Sequence, residues 1–209
     1  RIVRPMTGVA ARMWADQDRH DGDRRRLFEE VARARPATRV LYPGSYVDIA
    51  PSFVFPHVTY IDVDDRALRF FGDRDGITHI LEGRDTRGID FLHSDYTDHL
   101  PYPEAGFDLL VSLYAGFVSE ACARYLRVGG TLLVNPSHGD AAMASIDRRF
   151  RLTGVVKARD GHYRIHQTDL GTYLVPEKPI GLSRDFLHRR GKGIAYTRGA
   201  FAYLFERVE

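Results

Sequence analysis

Cysteine is nearly missing: Cys122 is the only one among 209 residues. A single thiol excludes an intramolecular disulfide and a cysteine-built zinc cluster, and it suits a reducing compartment. No apolar run approaches the roughly 20 residues of a membrane span, and the N-terminal stretch lacks the apolar core of a signal peptide. A cytoplasmic protein with no membrane contact is therefore expected, with residues trimmed ahead of Arg1 because no initiator Met is present. The phosphate-cradling loop of nucleotide triphosphatases is absent, and so is a serine nucleophile flanked by elbow glycines. No metal centre is expected either. His162 and His166 read as surface residues spaced along one strand, and the denser group His93, Asp95, Asp98 and His99 is not read as a ligand set.

What remains is an ordinary globular composition, 44% hydrophobic and 28% charged, in a chain long enough to bury a core as one domain. The net charge of +2 is unevenly spread. Residues 41–147 carry 7 Lys and Arg against 16 Asp and Glu, whereas residues 148–209 carry 13 against 6. Opposite charges facing each other or solvent account for this; basic flanks around an anionic small-molecule substrate are the functional alternative. The basic tail, with Arg184, Arg189, Arg190, Lys192 and Arg198, lacks any recognisable RNA-binding module, so nucleic acid is not the expected partner. The run Arg24-Arg25-Arg26 reads as a solvated helix face.

The most informative stretch is residues 39–64, RVLYPGSYVDIAPSFVFPHVTYIDVD. Val40-Leu41-Tyr42 stops at Pro43-Gly44, and Val58-Thr59-Tyr60-Ile61 stops at Asp62-Val63-Asp64. β-branched and aromatic runs bounded by Pro, Gly and Asp read as short buried strands. A glycine turn after one strand and an acid closing the next outline a nucleotide crevice, since the turn admits a ligand to the backbone and the acid accepts ribose hydroxyls.

The rest of the chain alternates in kind. A helix is expected from Asp23 to Pro36 with Leu27, Phe28, Val31 and Ala32 inward, after a short N-terminal helix or arm around Met13 and Trp14. Only a short helix fits between Asp48 and Pro56. The segment 65–72 reads as a helix with Leu68 and Phe71 inward and Asp65 as its cap. Further strands are expected at 89–92, 107–113 and 131–134, a helix at 119–126 closed by Gly129-Gly130, and a helix from Asp140 to about Arg149. Strands at 152–156 and 200–205, a hairpin return at 162–166 and a helix at 183–190 complete the reading. Such alternation argues for a parallel sheet with helices on both faces, whose ligand site lies beyond the strands' carboxyl ends. That rule gathers Gly44, Asp62, Asp95, Leu113, Tyr114 and Asn135 on one rim.

These motifs, in this order, resemble the class I S-adenosylmethionine-dependent methyltransferases from about residue 23 onward. Val40-Leu41-Tyr42-Pro43-Gly44-Ser45 stands where that family has its first strand and glycine loop, and Tyr60-Ile61-Asp62 where an acid closes the second. Ser94-Asp95-Tyr96 with Leu100-Pro101-Tyr102 resembles the adenine-contacting acid and its sequel. Phe107 to Ser112 resembles the fourth strand, and Leu126-Arg127-Val128-Gly129-Gly130 the turn before the fifth. The resemblance implies a single Rossmann-like domain at 37–209, a mostly parallel seven-stranded sheet ending in an antiparallel pair, with residues 1–36 as a helical arm packed on it. It implies S-adenosylmethionine as cofactor and methyl transfer to a small-molecule acceptor. Tyr42, Gly44, Ser45, Asp48, Asp62, Asp95, Tyr96 and Leu113 would line the cofactor, Asp62 on the ribose and Asp95 with Tyr96 on the adenine. The loop departs from the family pattern: Tyr42 replaces the usual acid, and Tyr46 and Asp48 replace later glycines. Asp48 would then meet the cofactor's ammonium. The alternative is a non-catalytic binding protein whose cleft is closed by Tyr42, Pro43 and Tyr46. For catalysis, His138 beyond the fifth strand is the candidate base and Tyr114 beyond the fourth the candidate pocket wall.

Overall fold

A computed structural model of the chain describes residues 8–209; the first part of the expected N-terminal arm, residues 1–7, lies outside them. Helix α1 (Val9–Gln17) buries Ala10, Ala11 and Trp14. Helix α2 (Asp23–Ala34) buries Leu27, Phe28 and Val31, a stripe at helical spacing. Strand β1 (Arg39–Pro43) leads through a 3₁₀ turn at Ala50–Phe53 to β2 (His57–Asp62). Next come α3 (Asp65–Gly72), α4 (Arg74–Ile80), β3 (Ile89–His93) and β4 (Phe107–Ser112). Helix α5 (Val118–Cys122) tightens into a 3₁₀ turn at Ala123–Tyr125 before β5 (Leu126–Val134). The chain closes with α6 (Asp140–Ile146), β6 (Phe150–Arg159), β7 (His162–His166), α7 (Arg184–Arg190) and β8 (Ala202–Arg207).

The strands form one sheet in the order β3-β2-β1-β4-β5-β8-β6-β7. The first five are parallel, and β8, β6 and β7 join antiparallel. The order reverses between β1 and β4, the place beside which sheets of this kind hold their ligands. Two cores flank the sheet. Val40, Tyr42, Val58, Tyr60 and Leu109 pack under α2, α3 and α4 on one face, while Leu41, Ile61, Leu110 and Leu132 pack under α5 and α6 on the other. These odd–even partitions along β1 and β2 are the period-two alternation of a sheet covered on both sides. A third, smaller cluster joins Ala142 and Met143 of α6 to Leu187, Ile194 and Tyr196. Those last three belong to the segment 167–201 between β7 and β8.

Several expectations need correction. The sheet has eight strands, not seven, because the 162–166 return pairs fully with β6 across an Asp160-Gly161 turn whose residues both take positive φ, 51° and 71°. Strand β5 starts five residues early. Leu126 pairs with Phe107, then the register slips so that Thr131 meets Leu109, and Gly129 and Gly130 take up the slip. On α3 the inward residues are Ala67, Phe70 and Phe71, while Leu68 is exposed. Phe71 lies 4.7 Å from both Tyr60 and Phe91 across the sheet surface, and a helix that buries two adjacent phenylalanines turns Leu68 outward. Its cap is Asp64, not Asp65; the Asp64 carboxylate accepts the Arg66 N–H at 2.8 Å. Helix α2 follows Gly22 as its cap residue, and Asp23 in its first turn accepts the Tyr163 hydroxyl at 2.8 Å. Arg24 is no solvated residue but an inward one.

Candidate functional site

At the reversal point the chain leaves β1 through Gly44, whose φ of +63° belongs to the left-handed region and whose N–H donates to Ile61 O at 2.7 Å. A Cβ at this position would lie 2.3 Å from the Cβ of Ala115. The loop after β4 therefore rests directly on the loop after β1. Tyr96 holds it there, its hydroxyl donating to Ala115 O at 2.5 Å. Gly116, at φ +92°, is the second requirement, since a Cβ on it would come within 2.8 Å of the same hydroxyl. Burial, helped by the charge of Asp140, pushes the Tyr96 phenol up to about 12, so it stays a donor at any physiological pH. The groups nearest Gly44 are thus Ala115 and Tyr96. Tyr42 lies buried beneath the loop, and Tyr46 carries the Arg66 guanidinium 5.0 Å above its ring.

Of the carboxylates expected on the rim, Asp62 ends β2 and Asp95 lies two residues beyond the end of the neighbouring β3. Asp62 accepts the Tyr46 N–H at 2.7 Å on one oxygen and the Asp64 N–H at 2.8 Å on the other. Each oxygen can accept a second hydrogen bond. The first contact folds Tyr46 back at φ +48° and sets the path of the loop. Asp95 accepts both the Thr97 N–H and its hydroxyl at 2.8 Å through Oδ1, which lowers its pKa and leaves Oδ2 facing solvent. Ser45 and Leu113 are buried.

Asp48 is placed beneath the loop rather than on its surface. It is 1% exposed, accepts the Tyr42 hydroxyl at 2.9 Å and the Ala50 N–H at 3.2 Å, and forms an ion pair with Arg24 Nε at 3.2 Å. Burial raises its pKa and the Arg24 charge opposes that rise. The Tyr42 phenol is raised well above its ordinary value by burial and by Asp48 beside it. Arg24 is the residue that sequence reasoning missed. A signal was present: Arg24, Leu27, Phe28 and Val31 recur at i, i+3, i+4 and i+7, so Arg24 shares the buried face.

Beyond β5, Asn135 is buried and its side-chain oxygen accepts the Tyr114 N–H at 3.2 Å and the Ser137 hydroxyl at 3.0 Å. Ser137 Oγ also lies 2.8 Å from His138 Nδ1. The two candidate catalytic residues, Tyr114 and His138, are therefore joined through Asn135 and Ser137, and both are exposed. Below them Asp140 opens α6. It accepts the Ser112 hydroxyl at 2.5 Å and the Ser119 N–H at 3.0 Å, tying β4, α5 and α6 together, and burial raises its pKa to about 6. The segment 167–201 buttresses this corner, with Gly193 N–H donating to Ser137 O at 2.9 Å. Much of the basic tail is engaged internally. Arg184 pairs with Glu120, Arg190 Nε donates to Gly193 O at 3.3 Å, and Arg198 stacks 4.3 Å over Tyr173.

No protein-family model matches the chain, and no curated protein does. Solved structures do. A Klebsiella pneumoniae protein assigned as an O-methyltransferase superposes with a TM-score of 0.52 at 13% identity, over 78% of this chain and 89% of its own. The tRNA (m1A58) methyltransferase TrmI of Aquifex aeolicus gives 0.52 at 12% identity, over 88% and 69%. The assigned methyltransferase solved in complex with the Haloferax volcanii Trm112 methyltransferase activator gives 0.51 at 20% identity, over 95% and 96%. The chain has the class I methyltransferase fold.

Proposed function

We propose that the protein binds S-adenosylmethionine across the ends of β1, β2 and β3 and catalyses methyl transfer to a small-molecule acceptor. The observation that carries this is the placement of Asp62 and Asp95. Asp62 ends β2, Asp95 lies two residues beyond the end of the adjacent parallel strand β3, and each keeps acceptor capacity after its internal hydrogen bonds. Asp62 is suited to ribose hydroxyls, and the free Oδ2 of Asp95 to an exocyclic amine. The amino-acid half of the cofactor finds chemistry that fits as well, because Arg24 Nη1 is a buried donor with no hydrogen-bond partner among the described residues. When bound, the cofactor supplies a methyl group on a sulfonium already activated for displacement.

The chain's own task is positioning and exclusion of water. Leu113 gives the crevice an apolar floor, and Tyr114 stands at its mouth. With His138 Nδ1 engaged by Ser137 Oγ, Nε2 is the ring atom left to take a proton from the acceptor. A small acceptor is favoured over nucleic acid because Arg184, Arg190 and Arg198 already have partners, which leaves the tail a poor phosphate track.

A second reading rests on one contact. Ala115 lies against Gly44 where ligand and backbone should meet, as in a binding protein that keeps the fold with its cleft shut. Calorimetric titration with S-adenosylhomocysteine separates the two, with Asp95→Asn as the control, since its amide oxygen can keep both Thr97 hydrogen bonds while the free carboxylate oxygen is lost. Saturable binding, weakened at least tenfold in the variant, supports the enzyme. No heat of binding at millimolar ligand, with folded protein, supports the closed cleft.

A further inference from the structure

Of the three consecutive arginines that open α2, only Arg24 pairs with a buried acid. Its side chain is 23% exposed and its Nε meets Asp48 Oδ2 at 3.2 Å. The Tyr114 ring covers it, 5.6 Å from the guanidinium carbon. Asp48 is meanwhile served by the Tyr42 hydroxyl and the Ala50 N–H as well. The guanidinium thus spends one edge on the fold and leaves Nη1 buried and unbonded. A buried charged donor without an acceptor is costly and uncommon in a native protein. Its planar fork suits one kind of missing partner best, an oxygen anion such as a carboxylate.

The cover over this edge shows the marks of a movable part. Tyr114 takes φ +61°, a conformation bulky aromatic residues rarely adopt, and its side chain is 52% exposed. It is continuous with Ala115, the residue that rests on Gly44, and two hydrogen bonds hold the pair down, from the Tyr96 phenol to Ala115 O and from Tyr114 N–H to the Asn135 side chain. Lifting residues 114–116 would both part the two loops and uncover Arg24.

The geometry points to Arg24 as the residue that takes the carboxylate of the cofactor's amino-acid half, with residues 114–116 as the cover displaced when that half enters. The inference rests on the cofactor reading above and adds a residue from outside the glycine loop. Asp48, instead of facing the ligand, orients Arg24 from behind.

The test is calorimetry on the full chain with three probes: S-adenosylhomocysteine, its decarboxylated analogue, and 5′-methylthioadenosine, which lacks the amino-acid half. Wild type is expected to bind S-adenosylhomocysteine at least tenfold more tightly than the other two, the scale of one charge-assisted hydrogen bond. Arg24→Lys keeps a cation for Asp48 and gives up the fork. It is expected to lose about that factor for S-adenosylhomocysteine and nothing for 5′-methylthioadenosine. Equal weakening toward all three probes, or toward none, overturns the role of Arg24 and leaves the cofactor site standing. Should the variant fail to fold, the wild-type comparison still decides, since equal affinity for S-adenosylhomocysteine and its decarboxylated analogue overturns the inference. If wild type binds none of the three, the cofactor reading falls, and the Arg24 role with it.

Discussion

A glycine at position 44 answers two demands at once, a left-handed backbone and a neighbour where a side chain would begin. The left-handed conformation costs an alanine about 1–2 kcal/mol, and overpacking a rigid contact adds about 1–3 kcal/mol. Gly44→Ala should therefore lower unfolding stability by roughly 2–5 kcal/mol in urea titrations. A loss below about 0.5 kcal/mol, the level of a neutral surface change, would mean that Ala115 does not rest on Gly44 in solution. Asp140 makes a prediction of opposite character. Its folded pKa of about 6 lies above the ordinary carboxyl value, because burial disfavours the charge. Its stabilising contribution is thus fully present below the unfolded pKa near 3.9 and is lost as pH rises through about 6. Asp140→Asn keeps hydrogen-bonding partners for Ser112 and Ser119 without a proton to lose. Measured from pH 4 to 7, wild type should lose stability relative to this variant, and a flat difference would contradict the burial argument. At this scale the sequence was partly legible. The positions of Asp62, at the end of β2, and Asp95, two residues past β3, could be read because each follows a short apolar run. Arg24 was obscured by its two neighbours, since burial picks one arginine of three by helical phase alone.

The parallel strands were readable as elements because each is a short apolar run between turn formers, and β1 and β4 are buried on both faces. What was less legible lies where two segments meet through backbone. The early start of β5 depends on a register slip at Gly129 and Gly130, which looked like a simple turn. The segment 167–201 gave little periodic signal, yet it packs as a satellite on α6 and runs against the loop that bears His138. Gly193 permits this contact: a Cβ there would stand 2.4 Å from Pro136 O and 3.2 Å from Ser137 O, both backbone atoms that cannot swing aside. Gly193→Ala should cost about 1–3 kcal/mol, spent locally. Hydrogen exchange should speed up in residues 167–201 and 135–139 while the amides of β1, β2 and β4 keep their protection. Uniform acceleration across the sheet would show instead that the segment is an integral part of the global fold and not a buttress for one corner.

For the whole molecule, the deciding property is whether the two halves of the sheet part at the reversal point. The loops after β1 and β4 touch through Gly44 and Ala115, so a ligand entering there must separate them and restore the lost contact with its own. The cores on the two faces do not depend on that contact, since the pairing of β1 with β4 through Val40 and Leu41 lies deeper in the sheet. Opening is therefore compatible with an intact fold, and the bound state should be the more stable one. A ligand that binds only folded protein adds about 2.7 kcal/mol at a concentration one hundred times its Kd. For a domain of this size each kcal/mol raises Tm by about 2–4 °C, so saturating S-adenosylhomocysteine should raise it by about 5–10 °C. On the proposed reading adenosine alone would meet Asp62 and Asp95 but not Arg24, and should give a smaller rise at the same concentration. An unchanged Tm with every adenosyl ligand would mean that Ala115 and Tyr96 keep the crevice shut, and that the fold serves recognition by its outer surface.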